Sequence, residues 1–336
     1  MDDRGFIVGS ELHTSLQKEV LEWYYQHKRN LPWRGETDPY RILLSEILLQ
    51  QTRVDQAIPY YRRFLAEFPT LEALGKTELE AVLKVWQGIG YYARARNLHK
   101  LAQTVVGVGG ELPRTYDELL KLPGLGPYTA AAVASIAFGE PVAAVDGNVR
   151  RVLSRWMAWE NPSLKQVQDK ADEVLASESL GDWNQAMMEL GATVCMPKNP
   201  RCSVCPVAQF CQGKTSPERY PAAKQRSRKS VDAVALVLVG PDGIHLEMRE
   251  GRVLGGLWGF PMEEGEGALE KLLGRFGLES ANFIGTVQHA FTHRKLTIQV
   301  YRASWDGREQ PENRPLSRLD RKILELVQKP QSALFT

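Results

Sequence analysis

Three groups of residues in this sequence have the types and spacing to do chemistry. Glu46 lies in the segment YRILLSEILLQQT, where a helix would set Ile42, Leu43, Leu49 and Gln50 three and four residues away. A carboxyl on so apolar a face is desolvated and its pKa rises, which is what a general acid needs near neutral pH. A glutamate that merely faces solvent fits the flanking leucines less well. The second group is the turn LPGLGPYTA, residues 122–130. Its glycines, Gly124 and Gly126, let the backbone approach a ligand closely, and the N–H groups beyond them open a helix at Thr129, a ready anion site. Alone, the turn also fits a plain helical hairpin. Asp146 follows twenty residues after Gly126, in PVAAVDGNVRRVL. It ends an apolar run and begins another helix, and alone it reads as an N-cap.

The third group is sulfur. All four cysteines fall in the pattern Cys195-x6-Cys202-x2-Cys205-x5-Cys211. Four cysteines are too few for a disulfide scaffold in a chain of this length. Four thiolates in one short loop, pre-bent by Pro197, Pro200 and Pro206, can close on one tetrahedral metal or one cubane cluster. Ligand chemistry does not separate zinc from iron–sulfur. Lys198 and Arg201 in the same loop offer charge to phosphate.

These groups need elements to hold them. Apolar residues recur at helical steps in 12–25, 42–51, 79–86, 94–106, 116–122, 129–138, 149–159 and 183–194. Pro32, Pro39, Pro59, Gly88, Gly90 and Pro113 punctuate between them. Residues 1–213 are therefore expected to form an all-helical domain. Residues 214–230 carry six basic side chains (Lys214, Arg219, Lys224, Arg226, Arg228, Lys229) against Glu218 alone, a basic linker suited to a polyanion. From Val231 the pattern changes to strands, at 231–239, 244–248, 286–287 and 296–301, with a turn at Pro241-Asp242-Gly243 and one helix at 268–276. Residues 231–329 are expected to form a smaller α+β domain, and 330–336 a flexible tail.

Composition narrows the class further. The 336 residues are 43% hydrophobic and 24% charged, with a net charge of +2, so neither a disordered chain nor a polycation fits. No apolar stretch is long enough for a membrane span, and the acidic N-terminus lacks the core of a secretory signal. A cytoplasmic, nucleoid-associated monomer is the expectation.

The helix–hairpin–helix turn, the aspartate about twenty residues later and the cysteine spacing together resemble the endonuclease III superfamily of base-excision DNA glycosylases. Within it the chain is similar to adenine DNA glycosylases of the MutY type, from about Leu16 to the end of the second domain. The resemblance implies an all-helical helix–hairpin–helix glycosylase domain with an iron–sulfur loop, followed by a Nudix-like α+β domain. It implies one 4Fe-4S cluster on Cys195, Cys202, Cys205 and Cys211, and double-stranded DNA as partner.

It also implies roles. Glu46 would protonate the adenine at N7, and Asp146 would stabilise the oxocarbenium-like sugar or attach to it, with Asn148 beside it. Tyr128 stands where bifunctional members carry a lysine that forms a Schiff base, so strong lyase activity is not expected. Trp33, Arg34 and Gln185 match the adenine pocket. Gln51 and Tyr91 match wedge residues that fill the gap left by the flipped base, and Thr52 touches the opposing base. Leu122, Gly124, Gly126 and Thr129 form the phosphate-binding hairpin. Glu270–Gly277 reads EKLLGRFG, so the three glutamates an active Nudix enzyme needs are Lys271, Gly274 and Arg275, and phosphate hydrolysis is not expected. The loop that checks for 8-oxoguanine opposite the adenine is Phe291-Thr292-His293, where the family has Phe-Ser-His. Without the resemblance, Tyr91 reads as a core aromatic and 291–293 as a strand-entry turn.

The tail residues Gln331, Leu334 and Phe335 look like a sliding-clamp peptide, though packing of the tail on its own domain is the simpler reading. Three other functions are weighed: a mismatch thymine or uracil glycosylase, a non-catalytic lesion binder and a Nudix nucleotide hydrolase. Glu46, Asp146 and the missing Nudix carboxylates oppose them.

Overall fold

The computed structural model describes residues 10–223, 228–251 and 253–328. Lys224 and Arg226 of the linker, and the tail residues Gln331, Leu334 and Phe335, lie outside them. The chain forms two compact units, residues 1–65 with 104–224, and residues 66–103 with 225–336. The segment 66–103, read in sequence with the helical domain, thus shares a compact unit with the C-terminal residues.

The first unit is helical. It holds α1 (Ser10–His27), α2 (Pro39–Leu49) and most of α3 (Val54–Glu67). In the second unit α4 (Leu71–Gly75) and α5 (Leu79–Trp86) follow, and α6 (Ala93–Gly107) crosses back. The first unit then continues with α7 (Tyr116–Leu119), α8 (Pro127–Phe138), α9 (Gly147–Trp156), α10 (Leu164–Glu173) and α11 (Leu180–Thr193). Its core joins Val20, Trp23 and Tyr24 of α1, Val152, Leu153 and Trp156 of α9, and Trp183, Met187 and Leu190 of α11. Pro59 does not end a helix as expected. It lies inside α3, whose Ala57, Tyr61 and Phe64 are buried at helical spacing, so tertiary packing outweighs one missing backbone bond. Helix α10 was not expected. Its signal is the capping box of Ser163 and Gln166.

The second unit adds a sheet and two helices. The strands are β1 (Lys229–Gly240), β2 (Gly243–Ile244), β3 (Glu247–Met248), β4 (Trp258–Gly259), β5 (Met262–Glu264), β6 (Asn282–Ala290) and β7 (Arg294–Ser304). The helices are α12 (Ala268–Phe276) and α13 (Arg318–Gln328). In the main sheet the order is β2-β1-β7-β6, with β5 also on β1. Strands β1 and β7 run parallel, with Val231 opposite Leu296 and Leu236 opposite Tyr301. From Ala233 to Val239, β1 is an unbroken apolar run because both its faces are covered there. Ala233, Ala235 and Val237 pack with Leu319 and Ile323 of α13, and Val234, Leu236 and Leu238 with Ala268 and Leu272 of α12.

Helix α5 and the residues after it are tied to this sheet. Arg314 bridges Glu80 at 3.0 Å and Glu309 at 2.7 Å. Gln87 and the Tyr92 hydroxyl both donate to the Leu316 carbonyl, at 3.0 and 3.4 Å. No described helix is long and apolar enough to cross a membrane.

Candidate active site

In the first unit, α2 and α8 lie side by side and bring Glu46 to Tyr128. Asp38 caps the start of α2 and Pro39 opens it, so the helix begins where the sequence places its signals. Seven of Glu46's neighbours in α2 are buried, and Glu46 itself is 6% exposed. The Tyr128 hydroxyl donates to Glu46 Oε2 in a short hydrogen bond. Burial lifts the Glu46 carboxyl to about 7; the Tyr128 bond and the charge of Arg34 oppose that rise, and the charge of Asp146 adds to it. Burial also pushes the Tyr128 hydroxyl well above its ordinary range, so it stays a donor.

Asp146 is both an N-cap and a neighbour of this acid. It caps α9, its Oδ1 accepting from the backbone of Asn148 at 2.8 Å and of Val149 at 2.7 Å. Its Oδ2 accepts from the Asn148 amide at 2.7 Å. Burial raises its carboxyl too, while these three bonds and the charge of Arg151 oppose that rise. Two carboxyls in electrostatic contact, one bonded by a single hydroxyl and the other by three N–H donors, can divide the roles of acid and anion.

A second polar cluster joins Arg34 to α11. Arg34 Nη1 donates to Gln185 Oε1 at 2.6 Å and Nη2 to Glu189 Oε2 at 2.6 Å. Arg29 forks onto the same Glu189 at 2.5 and 3.0 Å. Glu189 is 1% exposed; burial pushes its carboxyl up, but the two arginines outweigh it and hold it below the usual range. Sequence reading missed Glu189 and Arg29, which lie 160 residues apart in the chain. Trp33 is buried, with its ring edge-on to Tyr61 at 5.3 Å between centroids.

The hairpin behaves as its glycines suggest. Gly124 has φ +78°, and Gly126 caps α8 without a side-chain hydrogen bond, so the first N–H groups of α8 keep no side-chain acceptor. Leu122 accepts at its carbonyl from Leu125 and closes the turn. The Thr129 side chain is buried and accepts from Gln50 Nε2 at 2.9 Å, which joins α8 to α2 and leaves the backbone N–H as the group this residue can offer a phosphate. Gln51, just past α2, is exposed with φ +61°, and Thr52 beside it is half-buried.

In the second unit Tyr91 also has a positive φ, +51°, and is 45% exposed. A bulky non-glycine residue held there is strained, a cost that clusters at functional sites. Its hydroxyl lies 3.0 Å from Thr292 Oγ1. Phe291-Thr292-His293 forms the hairpin loop between β6 and β7, closed by Phe291 N–H on the Arg294 carbonyl at 2.8 Å. Phe291 stands edge-on to His289 at 4.7 Å, and His293 is exposed. The structure thus joins Tyr91 to the loop that sequence reading had linked only by family resemblance.

The four cysteines follow α11 and line one cavity with Arg155, Trp156, Leu190, Val194 and Ala208. Burial pushes the Cys205 thiol up to about 12 and raises Cys211. Thiolates so costly to ionise alone suit a cationic iron centre that compensates their charge. Arg155, almost fully buried, donates to Cys195 Sγ at 3.3 Å and to the carbonyls of Met196 and Pro217 at 2.7 Å. Arg151 donates to the Cys195 carbonyl at 2.7 Å and to Asn148 Oδ1 at 2.8 Å. Both arginines project from α9, whose N-cap is Asp146. Sequence reading passed over them because RRVLSRW reads as an ordinary basic helix face.

Known proteins share this arrangement. Residues 44–177 match the family described as HhH-GPD superfamily base excision DNA repair protein, 195–211 the iron–sulfur binding domain of endonuclease III, and 233–326 the NUDIX domain. The human adenine DNA glycosylase is 33% identical, over 88% of this chain and 68% of that protein. The rat adenine DNA glycosylase is 35% identical, over 88% of this chain and 71% of that one. Among solved structures, a thermostable thymine-DNA glycosylase aligns with a TM-score of 0.58 at 31% identity, over 62% of this chain and 99% of that one. A non-covalent endonuclease III–DNA complex aligns with a TM-score of 0.55 at 26% identity, over 63% of this chain and all of that one.

Proposed function

This chain belongs to the adenine DNA glycosylase family, an iron–sulfur enzyme of base-excision DNA repair, and we propose that it removes adenine mispaired with 8-oxoguanine, or with guanine, without cutting the strand. The observation that carries the reading is Glu46, a buried carboxyl lifted to about 7 and in electrostatic contact with Asp146. At neutral pH a large share of Glu46 keeps its proton and delivers it to adenine N7, which makes the base a better leaving group. Asp146, its carboxylate held by three hydrogen bonds at the start of α9, stabilises the oxocarbenium-like sugar, by charge or by transient attachment, with the Asn148 amide holding its Oδ2. Tyr128 orients the Glu46 proton and brings no amine, so the enzyme is monofunctional.

Arg34 and Gln185, hydrogen-bonded to each other, form the floor of the adenine pocket, and Trp33, fixed edge-on against Tyr61, contributes to it. Gln185 offers an amide, which donates and accepts on one edge as adenine requires. The strained Gln51 and Tyr91 fill the stack when the base flips, and Thr52 meets the opposite base. Phe291, Thr292 and His293 read 8-oxoguanine, the Thr292 hydroxyl doing the work of the family's serine. Gly124, Gly126 and the open start of α8 hold a DNA phosphate. The four cysteines hold a 4Fe-4S cluster; when bound, it fastens the loop at four points and balances the thiolate charge.

The NUDIX-type sheet domain serves recognition alone. Lys271, Gly274 and Arg275 replace the metal-binding glutamates, and Arg275 is spent on Glu247 at 2.5 Å.

The test is single-turnover base release from duplexes with A opposite 8-oxoguanine, A opposite G, T opposite G and A opposite T, with and without alkali. Adenine release fastest from the first duplex, with strand breaks only after alkali, is expected. Thymine release would move the chain to mismatch thymine excision, and tight binding with no release would leave a lesion binder.

A further inference from the structure

Glycine is among the poorest residues inside a helix, yet α11 carries Gly191 in its last turns, buried. Its conformation is ordinary, so the backbone does not require it. The space does. A Cβ at 191 would stand 2.5 Å from Asn148 Cβ, 3.0 Å from its Cα and 3.1 Å from its carbonyl carbon. Two of those atoms are backbone, in the first turn of α9, and cannot swing aside as a flexible side-chain tip would. The Gly191 carbonyl is engaged as well: Arg151 Nη2 donates to it at 2.7 Å and to Asn148 Oδ1 at 2.8 Å. With Oδ1 so held, the Asn148 amide turns its Nδ2 to Asp146 Oδ2.

We propose that Gly191 is a positioning residue for base excision: its bare backbone lets the first turn of α9 seat Asn148 where that side chain holds Asp146. The proposal rests on the catalytic reading of Asp146 and Asn148 given above. A methyl group at 191 pushes the α9 turn away from α11, and Asp146, two residues before Asn148, moves with it. Displacement of a reacting group by about 1 Å costs on the order of 10²-fold in rate.

A glycine on the same helix supplies the comparison. A Cβ at Gly181 would stand 2.9 Å from Ile136 Cα and 3.2 Å from the Ser135 carbonyl oxygen. It crowds α8 rather than α9, so Gly181→Ala disturbs the seating of α11 without touching Asn148.

The experiment measures single-turnover adenine release, affinity for the same duplex, melting temperature and visible iron–sulfur absorbance in the full-length holoenzyme. The variants are Gly191→Ala, Gly181→Ala, Asn148→Gly and the Asn148→Gly/Gly191→Ala pair. Gly191→Ala is expected to lose about 10²-fold in release rate while duplex affinity and absorbance are kept. Gly181→Ala is expected to lower the melting temperature with a far smaller loss of rate. In the Asn148→Gly background the closest contact, at 2.5 Å, is gone and only the 3.0 and 3.1 Å backbone contacts remain, which a shift of a few tenths of an ångström relieves; adding Gly191→Ala then costs less than about three-fold, since effects through one partner do not add. Should Gly191→Ala fail to fold, the pair restores folding. Rate losses that multiply in the pair, equal rate losses for the two glycine variants, or a pair that stays unfolded would overturn the proposal. Full excision by Asn148→Gly would overturn the role of Asn148 itself, and the proposal with it.

Discussion

The only acid in α2, Glu46, is buried among leucines and lifted to about 7, while Glu270 in α12 is exposed to water. The neighbouring positions of α12, where a Nudix hydrolase needs metal-binding glutamates, hold Lys271, Gly274 and Arg275. Helix α2 is buried on every side from Ile42 to Leu48, whereas α12 buries only the face of Ala268 and Leu272. The difference lies in what the polar positions meet. Glu46 meets a hydroxyl donor and the charge of a second carboxyl, which suits the proton-donor role proposed for it. Arg275 meets Glu247, which closes an ion pair on the surface. Fold resemblance alone would assign two hydrolytic activities to this chain; the side chains support one.

The largest expected effect is on the α2 side of that contrast. Glu46→Gln removes the transferable proton and Asp146→Asn the charge, and each is expected to lower single-turnover adenine release by about 10²–10⁴-fold. The same change at 46 acts oppositely on stability. Because folding raises this carboxyl from 4.5 to about 7, the folded state binds more protons than the unfolded one between those values. Stability therefore falls as pH rises through that window. Glu46→Gln is expected to be more stable than wild type by about 1–3 kcal/mol at pH 8, with the gain vanishing near pH 4.5. Denaturant titrations at the two pH values check it.

A smaller effect is expected at the pocket floor. Arg34→Lys keeps charge but loses the fork that reaches Gln185 and Glu189 together. It leaves a buried carboxylate short of a donor, and excision is expected to fall by about ten-fold, in line with roughly 1–3 kcal/mol for such a loss. Thr292→Val, in the loop bonded to Tyr91, is expected to narrow the preference for A opposite 8-oxoguanine over A opposite G by a few-fold, leaving the rate on the second duplex unchanged. On the α12 side the effect is least. Arg275→Gln breaks an ion pair half open to solvent, worth roughly 0.2–1 kcal/mol by melting, and leaves excision intact.

The sequence made these two helices unequally legible. In α12 the decisive residues lie within one turn of each other, so a short pattern reveals them. In α2 the apolar neighbours of Glu46 were visible, but its partners Tyr128 and Asp146 are 82 and 100 residues away. Only family resemblance linked them in advance. Glu189 with Arg29 and Arg34, and Gly191 with Asn148, were invisible for the same reason: each contact joins chain segments that only folding brings together. Secondary structure failed where local signals competed with packing. Pro59 read as a break but lies within α3, and α13 was missed though Leu319 and Ile323 of that helix close one face of the sheet.

The most direct test of the central claim is the pH dependence of single-turnover adenine release from the A opposite 8-oxoguanine duplex, between pH 5 and 9. The rate is expected to fall on the alkaline side with a midpoint near 7, as Glu46 loses its proton. Tyr128→Phe removes a bond that favours the charged carboxylate, so it should shift that midpoint upward. A rate that stays level from pH 5 to 9, or a midpoint that Tyr128→Phe does not move, would contradict Glu46 as the acid.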